Sequence, residues 1–524
     1  MKRLLCALCA FVILTSVTLT RPVVAAAPAP MIFARVKDAV DLDPAVATDG
    51  LSLNVTSLIL EGLVAFRPGS FDVIPALAER WTTSKDGKTW TFTLHPNMKF
   101  TDGTPLDAEA VKFNFDRWRL TSSQYRGNYQ FSYYVAEFGG FPGLISDVQV
   151  DGPQKVTFKL TRPYGPFLRN LAMPSFAIGS PTAIKADIIA FDHHPIGNGP
   201  YELGEWVKDD HITLRANPDY RPAPAYTTVV IRDIPDQATS VLEIQKGDID
   251  GLSDLRPDDA ANLAKSKSIT IYRQPSNNVS YLAMNMDKKP FGDRRIRQAI
   301  AYAIDISAIV HAFYPTGGMV ANEWIPPGML GHNPAVKAYP HDIAKAKELL
   351  AAAGMSKGFS TELYYGTAPR PYMPEPQRVA EAIQADLRQI GINVTLQPFE
   401  WAVYLSKIKN GEHPMCLIGW TGDNGDPDNF LYPLLDKDSA VKGGQNYSFW
   451  RDEHFHKLML DGQTTIVESE RAKIYAQALQ LVHDEAPAVP LVHTTVPLAM
   501  KSNIGGVIPN PNNVVDFELM KPKT

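Results

Sequence analysis

Three observations predict an α/β fold that includes a parallel sheet. First, strand-like and helix-like stretches alternate between positions 361 and 420 with short connections, which implies right-handed crossovers between parallel strands. Second, the first third of the chain is rich in alternating strand patterns bounded by turn residues. Third, 45% hydrophobic and 20% charged residues over 524 positions are globular values, and such a length suits about three domains. Lysine and arginine number 51 against 56 aspartates and glutamates, a net charge of −5, so the basic face of a nucleic-acid binder is not expected. Forty-two prolines fit many turns and long connections better than a helix bundle.

The N-terminus reads as an export signal. Lys2 and Arg3 precede an apolar run over 4–19, and Val24, Ala25, Ala26 and Ala27 form a small-residue tract with cleavage expected after Ala26. A membrane anchor is the alternative, disfavoured because the run is short and broken by Thr15, Ser16 and Thr18. Cys6 and Cys9 leave with this segment, so the mature chain keeps only Cys416. One cysteine can form neither an intramolecular disulfide nor a cysteine-based metal cluster, and its apolar surroundings over 415–418 suit a buried thiol. No other segment is long and apolar enough to span a membrane, so an exported, soluble mature protein is expected.

Position 89 opens a strand to 94, followed by a turn at Asp102 and Gly103 and a helix over 108–118 capped by Asp107. Stretches 201–207 and 211–216 flank Asp209 and Asp210 as a hairpin. A strand over 229–234, a helix to Lys246 stopped by Gly247, and a strand over 249–252 read as one strand–helix–strand unit. Further on, a helix over 342–353 ends at Gly354 and a strand follows at 361–365. The helix over 376–390 places Val379, Ile383, Leu387 and Ile390 on one stripe, with Gly391 as its stop. A strand over 392–399, a helix over 401–409 and a strand over 415–420 complete the parallel unit.

Open α/β sheets bind ligands outside the carboxyl ends of their strands. Three segments emerge at that edge: 366–372, 400–401 and 421–429. They deliver Arg370, Trp401 and Trp420, and acids at Asp423, Asp426 and Asp428. A cation, an anion and flat apolar walls would suit a small zwitterion. The alternative is that Arg370 pairs with a neighbouring acid and the tryptophans belong to the core.

Enzyme motifs fail on context. Gly354-Met355-Ser356-Lys357-Gly358 matches G-x-S-x-G but lies between a helix and a strand, the reverse of a nucleophile elbow. Gly87-Lys88-Thr89 lacks the upstream glycine of a phosphate loop. His193 with His194, and His454 with His456, read as ordinary surface or core histidines rather than metal ligands. The run from Asp423 to Asp428 departs from a calcium loop in spacing. No metal and no cofactor is expected.

Several longer stretches carry a resemblance. They are Ala78-Glu79-Arg80-Trp81 followed by DGKTWTFTLHPNMKFTDGTPLDAEAVKFNFDR, PIGNGPYEL at 195–203, YLAMNMDKKPFGDRRIRQAIAYAID at 281–305, and HDIAKAKELLAAAG at 341–354. They span nearly the whole mature chain. On them the protein resembles periplasmic solute-binding proteins of peptide-transporting ABC systems, extracellular solute-binding protein family 5. RPYMPEPQRVAEAIQAD at 370–386 and GWTGDNGDPDNF at 419–430 are most similar to the dipeptide-binding branch.

The resemblance implies a two-lobed α/β periplasmic-binding-protein fold with hinge crossings near Pro275 and Thr494. Residues 1–26 are then the signal, 27–275 with 494–524 the first lobe, and 276–493 the second. An extra subdomain over about 60–190 belongs to the first lobe. It also implies a periplasmic monomer without enzymatic activity, passing a dipeptide or short peptide to an inner-membrane ABC permease. By the same resemblance Arg370 binds the peptide carboxylate, Asp423 binds the α-ammonium, and Trp401 and Trp420 line a side-chain pocket. Tyr129, Tyr133 and Tyr134 are expected to pack within the subdomain, with the opposing wall of the site as the alternative. A cysteine pair found after the D-N-F segment in that branch is missing here, since 431–450 contains no cysteine. The alternative cargo is a longer peptide, haem, nickel or another small solute; an exported hydrolase or a surface adhesion or chaperone module would be a different class.

Overall fold

In the computed structural model the chain is described over residues 29–253, 255–314 and 317–523. The export signal expected over 1–26 lies outside the described residues. Among the described residues, twelve strands form one sheet that runs through two lobes. On one side the order is Ile392–Phe399, Phe359–Gly366, Met415–Thr421, Asn278–Met284. On the other it is Gly251–Leu252, Met31–Arg35, Thr228–Asp233, His211–Ala216, Tyr201–Val207.

Strand Ala488–Lys501 joins the two. Its residues 488–492 pair with Asn278–Met284, and residues 495–501 pair with Ile269–Pro275. The chain thus passes between lobes twice, at 276–277 and at 493–494, and the two crossings are bonded side by side. Asn278 Nδ2 donates to Thr494 Oγ1 at 2.7 Å, Thr494 N donates to Asn278 Oδ1 at 3.0 Å, and Ser276 N donates to the Thr494 carbonyl at 3.1 Å.

The parallel unit expected in the last third is present, with Phe359–Gly366 parallel to both Ile392–Phe399 and Met415–Thr421. Helix Pro376–Arg388 covers it, with Val379, Ile383 and Leu387 fully buried. Each such side chain contributes about 1.5–3 kcal/mol by leaving water. Asp107 caps Ala108–Arg119 by accepting from Glu109 N and Ala110 N, as its position before an apolar-periodic run implies.

One expected unit is built differently. The strand over 249–252 shrinks to Gly251–Leu252, and it does not pair with Thr228–Asp233; both flank Met31–Arg35 in parallel. The reason is Asp250, whose carboxylate accepts from Ile32 N at 2.8 Å while its own N–H donates to the Ile32 carbonyl at 2.7 Å. Side chain stands in for ladder there, and regular pairing starts one residue later.

Between the first-lobe strands is inserted a four-stranded antiparallel sheet in the order Ala78–Thr83, Thr89–Leu94, Lys155–Leu160, Ile145–Gly152. Helix Ala108–Arg119 lies on it, and Phe92, Phe115, Trp118 and Phe158 form its core. The short helix Ser132–Phe138 belongs to this insertion and faces the second lobe.

Candidate functional site

The carboxyl ends of Phe359–Gly366, Ile392–Phe399 and Met415–Thr421 open on one edge, and the residues expected to meet a ligand follow them. Trp401 is the first residue of helix Trp401–Lys409, fixed by Glu400, which accepts from Ala402 N and Val403 N. Its ring crosses the end of the neighbouring strand at Gly366, where a Cβ would come within 2.8 Å of the indole. Arg370 stacks on that ring with its guanidinium carbon 3.6 Å from the centroid. A reciprocal pair of backbone bonds with Met373, 3.0 and 2.9 Å, holds the Arg370 main chain. Arg370 forms no ion pair among the described residues, and its buried Nε has no hydrogen-bond partner there.

Arg370, Trp401 and Trp420 line a cavity of about 370 Å³ whose other walls include Tyr281, Tyr372 and Tyr447. Asp423 lines an adjoining cavity of about 460 Å³ between the lobes, with Arg35 and Lys37 on the first-lobe side. The two cavities share Pro371 and Thr421. Together they form one cleft with Arg370 at one part and Asp423 at another.

Asp423 is half-buried and without a cationic partner among the described residues. Burial pushes its carboxyl above the usual range, and hydrogen bonds from Tyr133 and Asn429 offset part of that. The Tyr133 hydroxyl donates to Asp423 Oδ1 at 3.0 Å, across the lobe boundary. Asn429 organises this corner with one carboxamide. Its oxygen accepts from Asp423 N at 3.0 Å and from Trp420 Nε1 at 3.3 Å, and its nitrogen donates to Asp423 Oδ2 at 3.3 Å.

The other acids of the loop turn inward, away from the rim. Asp426 is fully buried and takes the Arg471 guanidinium bidentately, at 2.8 Å twice, with Arg169 at 3.8 Å. Burial alone would raise its carboxyl, but Arg471 and then Arg169 hold it below the ordinary value. Asp428 accepts from Gln463 Nε2, and burial beside Asp426 lifts it to about 7. The same loop grips the inserted subdomain: Asn424 Nδ2 donates to Asn170 Oδ1 at 2.7 Å, and Gly425, at φ +65°, packs against Phe71.

Tyr134 is core, its hydroxyl bonded to the Pro142 carbonyl, and Tyr129 packs partly buried on the same cluster. Tyr133 instead reaches the cleft. Glu137 one turn later touches the same loop, and no sequence pattern marked it. Cys416 is buried and free. His456 donates through Nδ1 to Asp436 at 3.0 Å, an arrangement at the end of helix Asp428–Leu435.

Residues 72–441 match the family described as bacterial extracellular solute-binding proteins, family 5. The dipeptide-binding protein of Escherichia coli (strain K12) is 38% identical over 489 residues, covering 91% of each chain. Heme-binding protein A of Haemophilus influenzae is 32% identical over 493 residues, covering 92% of this chain and 90% of that protein. Among solved structures, an ABC-transporter-associated periplasmic binding protein from Helicobacter pylori, in complex with the peptide STSA, superposes with a TM-score of 0.78. It is 30% identical, over 95% of this chain and 98% of that one.

Proposed function

The chain belongs to the bacterial extracellular solute-binding proteins of family 5, and from that premise we propose that it is the periplasmic carrier of a peptide importer, binding dipeptides between its lobes. Arg370 takes the peptide carboxylate, Asp423 takes the α-ammonium, and Trp401 and Trp420 wall the side-chain pocket. The observation that carries this reading is the pair of unpaired charges. One guanidinium and one carboxylate, neither with a counter-ion among the described residues, face adjoining cavities that meet at Pro371 and Thr421. A guanidinium fork matches a carboxylate, and an aspartate suits a compact ammonium. The buried Arg370 Nε supports it further, since a ligand carboxylate would complete its bonding.

The crossings at 276–277 and 493–494 then serve as the hinge. They touch both charged segments: Thr494 Oγ1 donates to the Pro371 carbonyl at 3.1 Å, and Gly422 N donates to the Asn277 carbonyl at 2.6 Å. Closure removes water from both ion pairs, and a ligand lacking one terminus leaves a buried charge unmatched. That costs on the order of 2–5 kcal/mol, or roughly thirty-fold to several thousand-fold in affinity. The export signal at 1–26 and delivery to an inner-membrane permease complete the proposal.

The test is calorimetric titration of ligand-stripped mature protein with one dipeptide and with its N-acetylated form. Binding of the free form and its loss on acetylation is the expected result. Failure of both to bind would move the cargo to another solute, and mass spectrometry of co-purifying molecules would name it.

A further inference from the structure

Beside the Asp423 end of the cleft, bonded to the same loop but not lining the cavity, stands a second carboxylate supplied by the opposite lobe. Helix Ser132–Phe138 presents Tyr133 and Glu137 four residues apart, on one face, toward the loop that carries Asp423. The Asn429 amide nitrogen donates to Asp423 Oδ2 at 3.3 Å and to Glu137 Oε1 at 3.5 Å, so acids from two lobes share one neutral donor. Asn424 Nδ2 adds a bond to Glu137 Oε2 at 3.3 Å. Neither acid has a cationic partner among the described residues, whereas Asp426 beside them is paired with both Arg471 and Arg169. The other ionisable groups around these two acids are Asp428 on the loop, Tyr133 on the helix, Tyr164, and, from the first-lobe wall of the cavity, Asp49, Asp38, Arg35 and Lys37. Burial first, then Asp423, Asp428 and Asp426, push the Glu137 carboxyl well above its usual range.

Resting on the reading of Asp423 as the ammonium anchor, we propose that Glu137 is a positioning and specificity-determining residue of that anchor: a second negative charge that arrives only when the lobes meet, so that full closure favours a ligand with a cationic terminus. Without a cation, closure sets two carboxylates against each other and the cluster holds a proton in its place. A primary ammonium brings the missing positive charge and releases that proton. A ligand with a neutral N-terminus leaves the pair uncompensated.

The test compares wild type, Glu137→Gln and Asp423→Asn, each titrated with alanyl-alanine and with propionyl-alanine, which lacks only the amino group. Glu137→Gln keeps the shape and removes the charge. Affinity for alanyl-alanine is expected to fall by roughly tenfold or more, as for two charges a few ångströms apart near a protein surface, while propionyl-alanine binds as well or better. Wild type titrated in two buffers of different ionisation enthalpy releases a proton on binding alanyl-alanine, and Glu137→Gln releases less. An unchanged ratio between the two ligands, equal weakening of both, or no proton release by wild type overturns the proposal. If Asp423→Asn compresses the ratio and Glu137→Gln does not, the anchor stands and only the role of Glu137 falls. If wild type itself does not distinguish the ligands, the anchor falls as well.

Discussion

Asp423 accepts two hydrogen bonds from neutral donors, Tyr133 and Asn429, and has space on its cavity side for a third partner. Asp423→Asn keeps the volume and removes the charge. It should weaken binding of free-amine peptides by about 2–5 kcal/mol and leave the melting temperature nearly unchanged, because no ion pair within the chain is lost. Equal calorimetric affinities for wild type and variant would remove Asp423 from the site. Arg370 differs in one respect, since its guanidinium rests on Trp401 and contributes packing as well as charge. Arg370→Ala should therefore abolish discrimination between free-acid and amidated dipeptides and also loosen Trp401. If wild type binds the two peptides alike, the carboxylate role is wrong.

At the scale of single elements, helix Pro376–Arg388 shows how local pattern becomes structure. Val379, Ile383 and Leu387 recur at four-residue spacing and are fully buried against the parallel strands. Ile383→Ala should cost about 2–5 kcal/mol in chemical denaturation and leave peptide affinity unaltered, because no residue of the stripe lines either cavity of the cleft. Such elements were legible in the sequence because their signals lie within a dozen residues. So was the rim that delivers Arg370, Trp401 and Trp420, since strand direction alone puts those segments on one edge. The loop from Asp423 to Asn429 was only half legible. Its acids form one run, but Asp426 is claimed by Arg471, 45 positions away. Tyr133 meets Asp423 across 290 positions, and Glu137 follows it. Contacts of that kind depend on how the lobes are set against each other, and no periodicity records that. The short strand at Gly251–Leu252 was overestimated because Asp250 bonds through its side chain, which hydrophobic alternation does not report.

For the whole molecule, buried ionisable groups set the pH range of stability. Burial lifts Glu61 to about 7, Glu323 to about 8 and Asp428 to about 7; Glu518, buried near Asp516 and Glu61, reaches about 8. A carboxyl raised in the folded state favours the protonated fold, so its contribution is full below the unfolded value and is lost as pH rises through the folded one. Burial lowers His413 and His493 to about 4, and these oppose folding only as pH falls below about 6.5. Between pH 6.5 and 8.5 the acids dominate this balance, and the melting temperature should fall across that interval. Scanning calorimetry at both ends would check it, with Glu323→Gln flattening the slope; a rise in melting temperature would contradict the assignment. Strand Ala488–Lys501 has a consequence for how the molecule is made. The first-lobe sheet takes its earliest strand from Met31–Arg35, yet it also contains residues 495–501 between Ile269–Pro275 and Gly251–Leu252. A growing chain therefore holds an unfinished first-lobe sheet, with two strand edges waiting, until residues 495–501 emerge. Cutting the chain before position 488 would remove a strand from both halves of the sheet, but the halves differ in what they need: the second draws its strands from 278–494 alone, whereas the first must bring together residues as far apart as 31 and 501.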